Sequence, residues 1–196
     1  MDSKTAIAQL KKLEKLLDKK KDIARLAAEG WDEDWKCLIA TMLSAQTKDT
    51  TTLVVSEKLF NKFNSSEKLA TAKLSELEKL IHSVNYHKNK ARNIKETAKM
   101  ISEKGIPLSV EKLIEFPGVG RKTANVFLAE AHGKETIGVD THVARLSQKL
   151  GWTNHKIPSK IEKDLEKLFP KKYWNKINYV LVRFGQTFGK SRKKEN

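Results

Sequence analysis

Cysteine is almost missing from this sequence: its 196 residues contain one, Cys37, inside the apolar segment WKCLIATML. A single thiol cannot form an intramolecular disulfide, and it cannot supply the cysteine cluster of a zinc or iron–sulfur centre. Free cysteine usually packs like a small apolar side chain. We therefore expect Cys37 to be a buried core residue, and the sequence offers no metal site.

Long apolar runs are also missing. No stretch approaches the about 18 apolar residues that a transmembrane helix needs. The first residues, MDSKTAIAQLKKLEKLL, mix charged residues with leucine and lack the apolar centre of a signal peptide. These absences predict an intracellular protein with no membrane partner.

Negative charge is in short supply, because 39 Lys and Arg residues face 24 Asp and Glu residues and the net charge is +15. Such an excess indicates a polyanionic partner, with nucleic acid the first candidate. A proteome rich in lysine would raise the same count without creating a binding face. Composition leaves both interpretations open.

Apolar residues recur at spacings of three and four along nearly the whole chain, and no strand-like alternation of useful length occurs. This pattern predicts an all-α protein. Ser66 and Ser75 are candidate N-caps, and Pro158 is suited to the first turn of a helix. Helices are expected at residues 34–44, 48–63, 75–83, 88–103, 121–132, 141–150, from 158 onward and at 171–184.

The most informative segment is EKLIEFPGVGRKTANVFLAEA, residues 111–131. It predicts an apolar helix ending at Phe116, a hairpin of sequence PGVG and a second helix. Gly118 and Gly120 allow backbone conformations closed to other residues, and they let a phosphate approach the N–H groups at the positive end of the new helix. Such an element contacts a DNA backbone without reading its sequence, although a plain structural turn would look similar.

Two charged residues near this hairpin are candidates for catalysis. Lys122 lies in the first turn of the second helix beside Arg121, where the helix dipole and the neighbouring cation disfavour a charged ammonium. A neutral lysine amine is a nucleophile, whereas the alternative is a surface lysine that touches phosphate. Asp140 directly precedes a helix and is a natural N-cap. A capping carboxylate stays ionised, so it can also stabilise a developing cation.

Three segments resemble a known family: LIATMLSAQTKDT (38–50), HKNKARNIKETAKMI (87–101) and LIEFPGVGRKTANVFLAEAHGKETIGVDTHVARL (113–146). In this order they are similar to the endonuclease III branch of the helix-hairpin-helix/Gly-Pro-Asp DNA glycosylases. The resemblance covers about residues 30–190 and implies an all-α, two-lobed fold. A six-helix barrel (22–132) would carry the helix-hairpin-helix (111–131), and the second lobe would comprise 1–21 and 133–196 with a basic tail at 190–196.

The resemblance also implies an activity. Lys122 matches the family's Schiff-base lysine and Asp140 its catalytic aspartate, which implies a DNA glycosylase with AP lyase activity in base excision repair. Its substrate would be double-stranded DNA with damaged bases, expected to be oxidised pyrimidines, or abasic sites, and the enzyme would act as a monomer in the cytoplasm and nucleoid. Gln46 matches the residue that fills the vacated base stack, and Tyr86 falls near a second wedge position. The residues expected to contact DNA are Gln46, Tyr86, Gly118, Gly120, Arg121, His142, Lys190 and Arg192.

The sequence departs from the family in one respect. Many members carry a four-cysteine loop that binds a [4Fe–4S] cluster, whereas no cysteine follows Cys37 here. We expect no cluster, and basic residues near Lys190 and Arg192 to replace the DNA contacts of its loop. The carbonyls of Ile114, Phe116 and Val119 match positions where the family's hairpin can hold a monovalent cation. A mismatch thymine or uracil glycosylase on the same fold and a non-catalytic helix-hairpin-helix DNA-binding protein remain alternatives.

Overall fold

The computed structural model describes residues 1–20 and 25–189. Helices joined by turns and loops make up this part of the chain. No strand occurs in these residues, which confirms the all-α prediction. None of their helices is long and apolar enough to cross a membrane. The helices are α1 (Ser3–Asp18), α2 (Asp34–Ser44), α3 (Asp49–Lys62), α4 (Ser66–Thr71), α5 (Leu74–Leu80), α6 (His87–Lys104), α7 (Val110–Leu113), α8 (Arg121–His132), α9 (Thr141–Lys149), α10 (Pro158–Leu168) and α11 (Trp174–Phe188), with a 3₁₀ helix at Lys171–Tyr173.

Most predicted helices are present, but three details were wrong. The last helix begins at Trp174 rather than 171, because a 3₁₀ helix occupies Lys171–Tyr173, and it extends to Phe188. The helix before the hairpin has four residues and ends at Leu113. Tighter turns follow it, in which Phe116 N–H donates to the Leu113 carbonyl at 3.1 Å, so the chain reaches Phe116 without continuing the helix.

The third correction concerns the caps. Ser65, rather than Ser66, is the N-cap of α4: its backbone is extended and its hydroxyl accepts the Lys68 N–H at 3.3 Å. Ser75 lies inside α5, whose N-cap is Lys73. The expected position of Pro158 is confirmed, since it occupies the first turn of α10, where the missing N–H has no partner to lose.

The chain forms two compact units. The central unit comprises Arg25–Lys134, and the terminal unit comprises the described residues of 1–24 and 135–196. The lobe boundaries expected from the resemblance, 22–132 and 1–21 with 133–196, stay a prediction.

The core of the central unit is built around α2. Trp35 and residues 37–43 of this helix are all buried, so the helix is apolar around most of its circumference, as a central helix must be. It packs against α3, α6 and α8. Cys37 is 3% exposed, and its thiol donates to the Ala28 carbonyl at 3.3 Å. Burial raises the pKa of Cys37 to about 12, which confirms a buried core thiol.

In the terminal unit, α11 packs against both α1 and α9. Trp152, in the segment after α9, donates its indole N–H to the Gln9 side chain of α1 at 2.6 Å. The same ring packs edge-on against Phe169, with 4.8 Å between the ring centroids. These contacts fix α9, and therefore the position of Asp140 at its start, within the unit.

Candidate active site

Helix α6 supports the PGVG hairpin through its side chains. Gly118 has φ +79°, and a Cβ there would lie 2.7 Å from the side-chain nitrogen of Asn93. One turn further along α6, the hydroxyl of Thr97 donates to the Pro117 carbonyl at 3.0 Å. Gly118 is therefore required both by its left-handed backbone and by the close approach of Asn93.

Gly120 differs from this expectation. Its φ of −88° and ψ of 169° are extended values that any residue adopts, and a Cβ there would meet nothing within 4 Å. The prediction that Gly120 needs a special backbone conformation is therefore wrong. What a glycine provides at this position is space above the start of α8.

That start of α8 has no side-chain cap. Gly120 is the N-cap residue, and the Ala124 N–H donates to its carbonyl at 2.9 Å. The first N–H groups of any α-helix have no carbonyl partner within the helix, and the positive end of the helix dipole at the start of α8 favours an anion. A phosphate is the ligand that such a helix start accepts most readily.

Lys122 is the second residue of α8 and its side chain is half-buried, while the neighbouring Arg121 is exposed. Within the part of the chain that the structure describes, no hydrogen bond or ion pair engages the Lys122 ammonium. The amine is thus held beside the hairpin without a hydrogen-bond or ion-pair partner among the described residues.

Gln46 and Tyr86 form a second feature of the central unit, named here the wedge pair. Both residues adopt left-handed backbone conformations, with φ 56° and 59°, and they are the only non-glycine residues with positive φ among those described. Both side chains are exposed, that of Tyr86 by 64%. A left-handed conformation costs a residue of this kind about 1–3 kcal/mol, and such outliers concentrate at functional sites.

The wedge pair is joined by Asn85. Its side-chain amide donates to the Gln46 carbonyl, and its backbone N–H donates to the Thr47 hydroxyl at 3.2 Å. Two loops that are far apart in the sequence are therefore connected at the two positions predicted to enter DNA.

Lys90 of α6 is a buried cation that contacts the loop of Gln46, and it is 9% exposed. Its ammonium donates to the carbonyls of Leu43 and Ala45, at 2.7 and 2.6 Å, and to the Thr47 hydroxyl at 3.2 Å. Burial lowers the pKa of Lys90 to about 8.

In the terminal unit, Asp140 is the N-cap of α9, as predicted. Its Oδ1 accepts the Val143 N–H at 2.7 Å, and no described residue donates to its second oxygen. His142 is half-buried against α11, where a Cβ on Gly185 would lie 2.3 Å from its Nδ1. His142 can therefore occupy this position only because residue 185 has no side chain.

The predicted site residues fall into three groups. Gly118, Gly120, Arg121 and Lys122 lie together at the hairpin, the wedge pair lies at its own two loops, and Asp140 with His142 lies at the start of α9. Lys190 and Arg192 lie outside the described residues. The described residues include no group of three or more His, Cys, Asp or Glu side chains that could hold a metal ion.

Sequence reasoning missed the residues that support these groups, namely Asn85, Lys90, Asn93 and Thr97. One signal for Lys90 was available. The buried face of α6 includes Ala91, Ile94 and Ala98, and Lys90 occupies a position on that face where an apolar residue is expected.

The sequence and the fold both match known proteins. The family model of the HhH-GPD superfamily of base excision DNA repair proteins matches residues 39–171. The chain belongs to this superfamily. Endonuclease III of Thermotoga maritima is 40% identical over 157 residues, which cover 79% of this chain and 74% of the relative. Endonuclease III of Synechocystis sp. is 41% identical over 160 residues, which cover 80% and 73% of the two chains.

The solved structure of a trapped endonuclease III–DNA covalent intermediate superposes with a TM-score of 0.88 at 32% identity. It covers 100% of this chain and 91% of the solved one. The resemblance inferred from the LSAQ, PGVGRKTA and VDTHV segments is thereby confirmed, as is the helix-hairpin-helix DNA glycosylase fold.

The two hairpin glycines are expected to respond differently to alanine. Gly118→Ala should lower the free energy of unfolding by about 1–3 kcal/mol, because it combines positive φ with a clash against Asn93. Gly120→Ala should change it by less than about 0.5 kcal/mol but weaken binding to an abasic duplex, because the methyl group stands at the open helix start. Urea unfolding and DNA titration measure the two effects.

Gly105→Ala is the matched control, since Gly105 has φ +72° and a Cβ there would have no neighbour within 4 Å. It isolates the cost of positive φ from that of the Asn93 contact. Equal losses for Gly105→Ala and Gly118→Ala would contradict the role given to Asn93.

Proposed function

We propose that this chain is a base-excision-repair DNA glycosylase with AP lyase activity, which removes oxidised pyrimidines and cleaves the resulting abasic strand. The observation that carries the proposal is Lys122: a half-buried amine at the uncapped start of α8, directly after the PGVG hairpin. The helix start binds the DNA phosphate, and the amine beside it reaches the sugar. Backbone binding alone requires no lysine nucleophile at this point.

In the reaction, the Lys122 Nζ bonds to C1′ of the damaged nucleotide as the bond from C1′ to the base breaks, and the base leaves with that electron pair. The attacking nitrogen gives up a proton, and the departing base takes one up. Opening of the sugar ring at O4′, which is protonated to a 4′ hydroxyl, then gives a protonated Schiff base between Lys122 and C1′. The iminium acidifies C2′, so loss of a C2′ proton expels the 3′ phosphate and cuts the strand. Water finally hydrolyses the imine and returns the free lysine.

Asp140 stabilises the positive charge that the sugar develops as the base leaves. One of its oxygens caps α9 through the Val143 N–H, which orients the carboxylate, while the second oxygen has no described donor. Capping and catalysis therefore use different oxygens of one carboxylate.

The wedge pair gives the enzyme access to C1′. The target base has to leave the stack before it can react, and Gln46 fills the space it vacates while Tyr86 enters beside it. Their exposed side chains and left-handed backbones support this assignment. The two compact units correspond to the two lobes of the family, and the partner is double-stranded DNA, bound by a monomer in the compartment that holds the genome.

These 196 residues supply no ligand set for an iron–sulfur cluster. The sequence contains one cysteine, and that thiol is buried beside the Ala28 carbonyl, so it cannot join a four-thiolate site. The proposed ligands of a monovalent cation in the hairpin are the carbonyls of Ile114, Phe116 and Val119. The Phe116 carbonyl already accepts the Val119 N–H at 3.0 Å and keeps a second lone pair for the ion.

Lys122→Ala should abolish both borohydride trapping and strand cleavage, because no amine remains to form the Schiff base. Binding to an abasic duplex should persist, since the phosphate contacts are made by the backbone of the hairpin. Lys112→Ala, an exposed lysine of α7, serves as the control and should retain trapping. If Lys122→Ala still gave a trapped adduct, the nucleophile would be another residue. If the wild-type protein bound abasic DNA but did not cut it, the chain would be a non-catalytic DNA-binding protein.

Asp140→Asn should suppress base excision by about 10²-fold, the scale of losing one preorganised electrostatic contact. It should spare nicking of a preformed abasic site, where no base has to be expelled. The amide keeps an acceptor for the Val143 N–H, so the melting temperature should change little. Asp2→Asn is the matched control because Asp2 caps α1 in the same way, accepting the Thr5 N–H at 3.0 Å. If Asp140→Asn unfolded the protein, the role of Asp140 would be to cap α9 rather than to act in catalysis.

Gln46→Ala should slow excision from a paired duplex more than cleavage of a preformed abasic site. Unstacking a paired base costs a few kcal/mol, whereas an abasic site has no base to unstack. The ratio of the two single-turnover rates measures this effect. Thr50→Ala, an exposed change in the first turn of α3, should leave the ratio unchanged. Equal losses on both substrates for Gln46→Ala would argue for a structural role.

A further inference from the structure

Lys90 is buried on α6, where each of its three ammonium hydrogens has an acceptor. Two of these acceptors are carbonyls at the end of α2, those of Leu43 and Ala45, and the third is the Thr47 hydroxyl beyond it. All three belong to residues 43–47, the segment that contains Gln46. The cation therefore contacts the loop of the wedge pair and not its own helix.

A cation suits this place for two reasons. The last carbonyls of a helix have no N–H partner inside the helix, and the helix dipole makes that end negative. Yet burying an ammonium costs free energy, and a well-packed apolar side chain of similar volume often stabilises a protein more. A charge retained on the apolar face of α6 thus indicates a requirement for its directional hydrogen bonds.

These bonds lead to both members of the wedge pair. Thr47 accepts from Lys90 and also from the Asn85 backbone N–H, and the Asn85 side chain donates to the Gln46 carbonyl. Asn85 immediately precedes Tyr86, which is itself the N-cap of α6. Lys90 lies one turn into that same helix, with its N–H donating to the Tyr86 carbonyl at 3.0 Å.

We propose that Lys90 is a positioning residue for base flipping: its ammonium fastens the end of α2 to the start of α6, so that Gln46 and Tyr86 enter the duplex as one rigid unit. The proposal rests on the function proposed above for the wedge pair. It accounts for the left-handed backbones of Gln46 and Tyr86, which persist only where the surrounding contacts determine them. At pH 7, below its lowered pKa of about 8, the Lys90 amine keeps the three hydrogens that the three acceptors require.

The test compares Lys90→Met with Lys95→Met in the full-length protein. Lys95 lies on the same helix, is half-buried, and donates to one backbone carbonyl, that of Ala72, at 2.7 Å. Lys95→Met therefore removes the same kind of bond at a site remote from the wedge pair. For each variant, single-turnover rates are measured for excision of the oxidised pyrimidine that the wild type removes fastest and for cleavage of a preformed abasic site.

We expect Lys90→Met to lower the ratio of excision to abasic-site cleavage by about tenfold, the scale of one lost hydrogen bond to a charged group. Hydrogen exchange should become faster at residues 44–48 and 84–87. Lys95→Met should leave both readouts at the wild-type value. An unchanged ratio in Lys90→Met, or the same change in Lys95→Met, overturns the proposal.

Two further variants keep the test decisive. Asn85→Ala changes an exposed residue, so it should fold even if Lys90→Met does not, and it should lower the same ratio because it removes the link to Gln46. In the double variant Gln46→Ala/Lys90→Met, the loss in the ratio should be smaller than the product of the two single losses, since Lys90 acts through Gln46. Independent, multiplicative losses or an unaffected Asn85→Ala overturn the proposal.

The experiment separates this proposal from the function on which it rests. A wild-type protein that neither excises a base nor cuts abasic DNA refutes the proposed function. Hydrogen exchange at 44–48 and 84–87 then still reports whether Lys90 holds the two loops. An active wild type with unaltered exchange in Lys90→Met refutes the positioning role alone.

Discussion

Most of the central unit depends on one constraint: backbone carbonyls at the ends of helices and in loops need a hydrogen-bond donor. Helix α6 meets that need three times along its length. Lys90 donates to the end of α2, Lys95 donates to Ala72 after α4, and Thr97 donates to Pro117 in the hairpin. An unpaired buried carbonyl costs about 1–3 kcal/mol, so these bonds decide where three separate loops can lie. The wedge pair and the hairpin thereby share one rigid support.

Two helix starts that carry predicted site residues differ in their capping. The start of α8 has no side-chain cap, whereas the start of α9 is closed by the carboxylate of Asp140. An open start attracts an anion, and a closed one holds a negative charge in a fixed orientation. The proposed function uses the first for a phosphate and the second to stabilise positive charge, and both follow from the same local physics.

The sequence was sufficient for the helices, the hairpin and the family. The apolar continuity of residues 34–44 predicts a buried helix because an 11-residue run is longer than a usual buried strand, and the structure has it at those residues. Asp140 was predictable as a cap because its side chain, its position and the following apolar periodicity agree. Details that depend on φ and ψ were less accessible: Ser65 and Ser66 have identical side chains, and only the extended backbone of Ser65 makes it the cap.

Long-range support was the least predictable part. The acceptors of Lys90 lie more than forty positions earlier in the chain, so its periodicity could indicate burial but not its partners. The left-handed backbones of Gln46 and Tyr86 are likewise imposed by tertiary contacts, since neither residue type favours them. His142 depends in the same way on the missing side chain of Gly185, which no local pattern near 142 reveals.

If Gln46 and Tyr86 enter DNA as proposed, their left-handed backbones have a consequence for how the enzyme searches a genome. A probe that had to become ordered at every base pair would lose conformational entropy at each encounter, and each encounter would be correspondingly slow. Here the unfavourable conformation is already in place before DNA arrives, held by the protein's own hydrogen bonds. In that role the probe needs no ordering step at each undamaged pair, which shortens each encounter during the search.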